Sequence, residues 1–239
     1  MIMWPGIMSG TGNREEMYRH SGWLIPGAFF FVLFLLSSLL LGWYLRPGPK
    51  SPPAPTEQSA LVRLSLHGIS FAIPANYIEN AQARAGGAMD SLTLVTLFPV
   101  WSGYSEGQAR LFGGNTPDSP LVRLSLHGDP TSLDGRDRLN RIYRPHIAGG
   151  EPAPFGLTRY TFVPETSYGD DELFAGEIGK ELVLFLCERS SPGSPNCSAT
   201  DRKLAPGLSY SYRFKRAYLG RWREITTGVD RLIGRFRQR

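Results

Sequence analysis

The side chains best suited to catalysis or metal binding in this sequence are its few histidines, and they are widely spread. The spacing of a nucleophile elbow, a phosphate-binding loop, a zinc-binding HExxH helix or a CxxC pair does not occur. The four histidines are His20, His67, His127 and His146. We therefore expect no cofactor and no metal site.

Weaker arrangements can be drawn only from abundant residue types. Ser65 or Ser125, a histidine and Asp129 would suit nucleophilic catalysis, but such sets arise easily by chance. The acidic residues 170–172 could bind Ca²⁺, yet they lack the spacing of a calcium loop and favour a solvated turn. We predict no catalytic residue, and we expect a binding function rather than an enzymatic one.

One octapeptide, LVRLSLHG, occurs twice, at 61–68 and at 121–128. The residues that follow the two copies differ completely, which excludes a solenoid of stacked equivalent units. The alternating apolar pattern favours two strands in equivalent places of one sheet. The alternative is that His67 and His127, with the arginine four residues before each, form a paired ligand or anion site, which requires the two strand ends to converge.

The two cysteines, Cys187 and Cys197, bracket a polar loop whose closure by a disulfide is geometrically easy. Such a bond persists only in an oxidising compartment. A zinc site would need two further ligands, and no histidine lies near this loop in sequence. Two unpaired buried thiols remain the other alternative.

The chain that positions these histidines and cysteines carries an apolar run near its N-terminus. Residues 23–44 carry no charge, and 22 residues of helix span about 33 Å, enough to cross a bilayer core of about 30 Å. Trp23 at one end, and Trp43 with Tyr44 at the other, suit the two water interfaces. A cleaved signal peptide is the rival interpretation, but bulky side chains follow the run where a signal peptidase needs small ones.

The position of the charges leaves the orientation of this helix nearly undecided, since arginines flank both ends. The predicted disulfide favours a cytoplasmic N-terminus and a periplasmic domain in a bacterial inner membrane. We predict four regions: a cytoplasmic tail at 1–22, a transmembrane helix at 23–44, a proline-rich linker at 45–60 and an α+β domain at 61–239.

The alternation of apolar and polar residues predicts a domain with a mostly antiparallel sheet. We expect a hairpin from residue 61, central strands at 91–98 and 181–188, further strands at 157–163 and 208–214, and a helix at 131–143. The fold class is therefore α+β, with a C-terminal amphipathic helix.

The C-terminal segment from residue 221 has an apolar arc and a basic opposite face. From 202 to 239 there are eleven Lys or Arg against two acidic residues. One interpretation is a helix docked on the sheet; the other is contact with anionic lipid or an acidic partner. The candidate contact residues are Arg221, Arg223, Arg231, Arg235 and Arg237. A nucleic-acid partner is not expected in the periplasm.

A short segment near the start of the domain is distinctive. The residues FAIPANY at 71–77, RAGG at 84–87 and DSLTL at 90–94 run on to Phe98-Pro99. This pattern resembles a segment of uncharacterised proteobacterial envelope proteins that have a single N-terminal anchor. The resemblance covers about thirty residues, and it implies no activity and no catalytic residue.

These observations favour a single-pass inner-membrane protein whose periplasmic domain binds a protein partner. It would be an accessory or assembly subunit of an envelope complex, or an immunity-type inhibitor. The alternative is an anchored enzyme acting on an envelope polymer. That alternative requires His67, His127 and Asp129 to converge in one cleft, because catalytic groups must reach the same substrate.

Overall fold

A computed structural model of the chain describes residues 24–44, 55–131, 133–189 and 194–238. The chain divides into two compact units, Met1–Pro52 and Pro53–Arg239, each described by itself below. The predicted tail 1–22, the interface residue Trp23 and the first part of the predicted linker lie outside the described residues. Residues 55–60 form neither helix nor strand.

The described part of the first unit is an uncharged helix, α1 (Leu24–Tyr44). Its stretch from Ile25 to Tyr44 is long and apolar enough to cross a membrane, and none of it is buried against protein. Trp43 and Tyr44 form its exposed C-terminal end. The helix therefore fits a membrane anchor or a signal sequence.

The second unit is built on an eight-stranded sheet in which all neighbouring strands are antiparallel, in the order β4-β5-β11-β10-β9-β8-β7-β6. The strands are β4 (Ser91–Leu97), β5 (Leu121–Gly128), β6 (Ile147–Ala153), β7 (Leu157–Phe162), β8 (Asp171–Ile178), β9 (Glu181–Glu188), β10 (Asn196–Ala205) and β11 (Leu208–Lys215). The predicted α+β class with a mostly antiparallel sheet is confirmed.

A smaller sheet has the order β2-β1-β3 and comprises β1 (Leu61–Leu66), β2 (Ile69–Pro74) and β3 (Gly87–Met89). The predicted hairpin of β1 and β2 is confirmed. Its two loop residues, His67 and Gly68, have φ values of 47° and 81°. Positive φ at both positions is the signature of the tight turn that matches strand twist.

The described residues of this unit also form the helices α2 (Ala109–Gly113), α3 (Gly135–Arg138) and α4 (Trp222–Phe236). Short 3₁₀ turns occupy Ala75–Tyr77, Gln82–Ala85, Glu106–Gln108, Arg144–His146, Pro154–Gly156 and Arg216–Arg221. The helix expected at 131–143 begins later, because Asp134 caps it by accepting a hydrogen bond from the backbone N–H of Asp137 at 2.8 Å. A π-helical turn, Leu139–Tyr143, continues it.

Helix α4 docks on one face of the large sheet, as its apolar arc predicts. Its apolar side chains are all buried: Trp222, Ile225, Val229, Leu232, Ile233 and Phe236. Gly176 on β8 makes room for Trp222, since a Cβ there would lie 2.5 Å from the indole. The core on this face also includes the small sheet, so burial of one continuous apolar surface holds both sheets and the helix together.

Over β7 to β9 the other face of the large sheet is covered by the chain that follows α3. There Leu139 and Tyr143 pack on Phe162, Leu173 and Leu184, which lie on β7 to β9. Over the middle of β5 and β11 the same face carries polar side chains that are exposed or half-buried, between the buried Ser209 and Lys215. We call this region, defined by Arg123, Ser125, His127, Ser211 and Arg213, the open face.

Two sequence predictions were wrong, and a third holds only in part. The two LVRLSLHG copies lie in different sheets, because the first turns back at His67-Gly68 while the second stays extended between β4 and β11. The strand predicted to be central at 91–98 is the edge strand β4. Its Leu94 pairs with Ile78 in an isolated antiparallel bridge. Of the acidic residues 170–172, Asp170 lies in an exposed turn as expected, whereas Asp171 and Glu172 begin β8 and Glu172 is buried.

Candidate functional site

The two candidate ligand histidines come near the same end of β5, but each has its own partner. His67 Nε2 lies 3.3 Å from the carbonyl oxygen of Asp90, and a Cβ at Gly128 would lie 2.5 Å from the same nitrogen. His127 Nε2 lies 3.1 Å from Asp201 Oδ1. The geometry therefore gives each ring a separate local contact.

Asp129, the acidic member of the candidate catalytic set, is buried and occupied by hydrogen bonds. One carboxylate oxygen accepts from the backbone N–H of Thr131 at 2.9 Å, and the other accepts from the Ser209 hydroxyl at 3.0 Å. This arrangement holds the chain that follows β5, and the carboxylate paired with His127 is Asp201 instead. Within the described part of the chain, no cluster of three or more His, Cys, Asp or Glu is placed to hold a metal ion.

The open face presents two arginines directly opposite one another, Arg123 on β5 and Arg213 on β11. Each is paired with a carboxylate at the rim: Arg123 with Glu79 at 2.8 Å and Arg213 with Glu188 at 2.7 Å. Between them and His127 the cross-strand neighbours Ser125 and Ser211 leave a shallow hollow of about 430 Å³. Arginine is enriched at protein interfaces, so this pair of arginines suits contact with another protein surface.

Arg138 lies at one side of this hollow and is only 11% exposed. Its Nη2 is 3.3 Å from Asp201 Oδ2 and 3.7 Å from Asp129 Oδ2. Its Nε has no hydrogen-bond partner among the described residues. Tyr143 also lines the hollow, and burial, reinforced by Tyr168, raises the pKa of its hydroxyl to about 12.

The five arginines proposed as contacts on the C-terminal helix fall into two groups. Arg221 pairs with Glu224 at 2.7 Å and stacks over the Phe98 ring at 4.3 Å, and Arg223 donates to the Phe155 carbonyl at 2.9 Å. The hydrogen bond with Glu224 raises the pKa of Arg221. The remaining three are exposed and make no ion pair with any described residue: Arg231, Arg235 and Arg237.

A second hollow, of about 640 Å³, brings together one arginine that the sequence singled out, Arg223, and two that it did not, Arg136 and Arg144. Arg136 comes from α3, Arg144 from the following 3₁₀ turn and Arg223 from the first turn of α4. We call this site the arginine hollow. No local motif could reveal it, because its members lie up to 87 residues apart in sequence.

The two cysteines form a disulfide, with their sulfur atoms 2.00 Å apart. Cys187 on β9 and Cys197 on β10 are direct cross-strand partners, and both are fully buried on the core face. The bond therefore joins two neighbouring strands inside the core, in addition to closing the loop between them.

Comparison of the sequence with models of protein families and with curated proteins finds no match. Comparison of the structure finds an immunity protein of the Stenotrophomonas maltophilia type IV secretion system, with a TM-score of 0.58 and 17% identity, over 80% of this chain and 100% of that one. An iron-regulated outer membrane lipoprotein of Neisseria meningitidis gives a TM-score of 0.46 and 13% identity, over 78% and 96%. At 17% identity, the similarity to the immunity protein shows only that the two chains share a fold.

Proposed function

We propose that this chain is a single-pass inner-membrane protein whose periplasmic domain binds a protein partner. In this proposal residues 1–22 are cytoplasmic, 23–44 span the membrane, 45–60 act as a spacer and 61–239 form the binding domain. The partner is a component of an envelope complex, or a toxin that this chain inhibits in the manner of an immunity protein. The open face is the observation that carries the proposal.

The open face has the chemistry of a protein-binding surface. One side of the large sheet is sealed by α4 and the small sheet, whereas over β5 and β11 the other side presents polar groups. Arg123 and Arg213 are held in place by Glu79 and Glu188. Because an ion pair already fixes each guanidinium, less side-chain entropy is lost when a partner docks.

The structural likeness supports the inhibitor form of this proposal. The solved immunity protein shares the fold over its whole length. A shared fold does not by itself carry a function across, so the likeness guides the choice of partner to test. A periplasmic toxin is therefore the first class of protein to examine.

The buried disulfide supports the periplasmic placement of the domain, because a reducing cytosol keeps cysteines as thiols. The test is to quench whole cells in acid, denature the protein and add a thiol-reactive polyethylene glycol before and after reduction. Since Cys187 and Cys197 are buried, denaturation is needed to expose them. We expect a mobility shift only after reduction; a shift without reduction would contradict the placement.

Arg231 and Arg235 on α4, and Arg237 just after it, make no ion pair with any described residue and support a further contact with an acidic surface, either anionic lipid or an acidic partner. Arg231 and Arg235 lie one turn apart on the exposed side of the helix. Vesicles of phosphatidylglycerol should bind the wild-type chain more tightly than a chain with both arginines changed to Glu. Equal binding of the two chains to the vesicles would show that these arginines do not contact anionic lipid.

The binding proposal is tested by purifying the full chain in detergent and identifying a stoichiometric partner. Ser125→Trp fills the open face and should abolish the complex, because the bulky ring blocks close approach. Lys180→Trp, at an exposed turn, is the matched control and should keep it. Failure to find any partner, or equal retention by both variants, would overturn the proposal.

A further inference from the structure

We infer that the arginine hollow, together with the exposed ring of Phe155 beside it, binds an acidic and partly apolar segment of a protein partner. This inference rests on the proposed function, since it names the chemistry of the partner. It concerns a different surface from the open face.

The hollow carries more positive charge than its own residues neutralise. Its acidic member, Glu177, accepts from Arg136 at 2.6 Å. Arg144 donates to the neutral amide oxygen of Asn140 at 3.2 Å, and Arg223 donates to a backbone carbonyl. Among the described residues, two of the three guanidinium groups in the hollow therefore have no carboxylate partner.

A carboxylate is the group that fits these guanidinium groups best. The planar fork of arginine can make two parallel hydrogen bonds to one carboxylate, which are stronger than bonds between neutral groups. Thr158 and Tyr160 on β7 line the same hollow and supply hydroxyl groups for further hydrogen bonds. The site can therefore recognise one or two acidic side chains of an incoming segment.

Phe155 adds an apolar side chain next to the hollow, since it precedes Gly156 and its carbonyl accepts from Arg223, and both of those residues line the hollow. Its side chain is 60% exposed, and its φ of 66° lies in the left-handed region that bulky residues rarely adopt. Its carbonyl is held by the indole N–H of Trp222 at 3.2 Å and by Arg223 at 2.9 Å. A residue kept exposed in an unfavourable conformation is a reason to look for a function.

The Phe155 ring also lies against the backbone at Gly220. A Cβ at Gly220 would lie 3.1 Å from the Phe155 ring, so a side chain at this position would press on the ring. Gly156, next to Phe155, has a φ of 70° and would bring a Cβ to 3.0 Å from Arg223. The aromatic ring and the arginine are therefore positioned together before any partner binds.

An exposed aromatic ring beside ordered arginines is the composition of a binding hot spot. A free phosphate would not cover the ring, so the occupant must supply an apolar group as well as an acid. A bilayer surface is broad, whereas this site is a concave hollow of about 640 Å³ that admits projecting side chains. A protein segment carrying both acidic and apolar side chains meets these requirements.

The first test measures binding of a defined probe to the full chain in neutral detergent. The probe is a fluorescein-labelled peptide of alternating Glu and Leu, compared with its Gln and Leu counterpart by fluorescence anisotropy. We expect only the acidic peptide to bind, and Arg144→Glu to weaken it about thirtyfold, since a hot-spot residue contributes at least about 2 kcal/mol. Arg110→Glu, an exposed arginine outside the hollow, should leave the affinity unchanged.

Equal binding of the two peptides, or an Arg144→Glu chain that binds like the wild type, would overturn the inference. Arg144→Lys keeps the charge but loses the planar fork, so it should retain part of the affinity. Its result separates a bidentate contact from general attraction. An unchanged melting temperature in each variant confirms that the fold is intact.

The second test uses the partner captured by the full chain. A photo-reactive phenylalanine analogue placed at residue 155 should crosslink to that protein, and Arg144→Glu should abolish the crosslink. Crosslinking to lipid instead would overturn the inference in favour of a membrane contact. If a partner is captured with the same affinity by Arg144→Glu, the inference fails and the proposed function stands; if no partner is captured, the proposed function itself fails.

Discussion

Two glycines on helix α4 should respond to the same substitution with opposite signs. Gly228 faces the core, and a Cβ there would lie 2.0 Å from a ring carbon of Trp101. Gly234, further along the helix, faces open space, and a Cβ there would meet no other atom within 4 Å. Replacing each with alanine therefore separates helix propensity from packing.

The magnitudes follow from these two surroundings. Alanine in place of glycine favours a helix by up to about 1 kcal/mol, so Gly234→Ala should stabilise the protein by about 0.5–1 kcal/mol near the helix end. At Gly228 the same gain is outweighed, because forcing atoms into a packed site costs about 1–3 kcal/mol. Gly228→Ala should be destabilising by about 1–2 kcal/mol.

Trp101 cannot retreat easily from the added methyl group. Its backbone N–H donates to the Leu97 carbonyl at 2.6 Å, and its own carbonyl accepts from the Tyr77 hydroxyl at 2.8 Å. Its φ of 59° also places it in a conformation that the surrounding loop must maintain. The ring must therefore rotate away from the helix and lose its packing.

Thermal unfolding of the full chain in detergent, followed by circular dichroism, measures both effects. A difference of about 2 kcal/mol corresponds to about 4–8 °C for a domain of this size. We expect the melting temperature of Gly234→Ala to rise and that of Gly228→Ala to fall. A rise of similar size in both variants would refute the placement of Trp101 against the helix.

Three further predictions concern charges and the disulfide. Burial raises the pKa of Asp171, and the Glu188 carboxylate directly opposite on β9 raises it further. The pKa of Asp171 is higher in the folded state than in the unfolded state. The stability that this carboxyl contributes at low pH is therefore lost as the pH rises through its folded-state pKa. Asp171→Asn should therefore resist urea better than the wild type at pH 7, with the difference closing in acid; a difference that grows in acid would contradict this. Arg202, which is 8% exposed, pairs with two carboxylates. Arg202→Met should therefore lower the free energy of unfolding by about 2 kcal/mol, which is less than the cost of breaking a fully buried pair. An unchanged free energy of unfolding in urea would show that the two ion pairs contribute nothing to stability. Replacing Cys187 and Cys197 by Ala should cost about 2–3 kcal/mol, as closure of a ten-residue loop implies; an unchanged urea midpoint would argue against a bond in the native protein.

Several elements could be predicted because their signal is local. The apolar arc of α4 repeats at helical spacing, so neighbouring residues already reveal which side is buried. His67-Gly68 lies between two alternating runs and indicates a tight hairpin. The cysteine pair is close enough in sequence for a disulfide to be expected.

The candidate site could be predicted only in part. Arg221 and Arg223 were singled out because they belong to the basic face of one helix. Arg136 and Arg144 were not, because the local sequence around an arginine carries no signal of which distant residues lie beside it. Phe155 was missed for a related reason: its exposure depends on how the chain before β7 meets the start of α4.

The octapeptide LVRLSLHG shows most clearly where sequence and tertiary structure divide. By itself the sequence determines a strand in both copies, since its apolar residues alternate. It does not determine the sheet: the first copy pairs with β2 and β3, and the second with β4 and β11. Identical residues have identical local preferences, so only the residues that follow and the partner strands that become available can decide the difference. The same reason places the arginine hollow beyond the reach of sequence, because three distant segments form it only once the sheet has assembled.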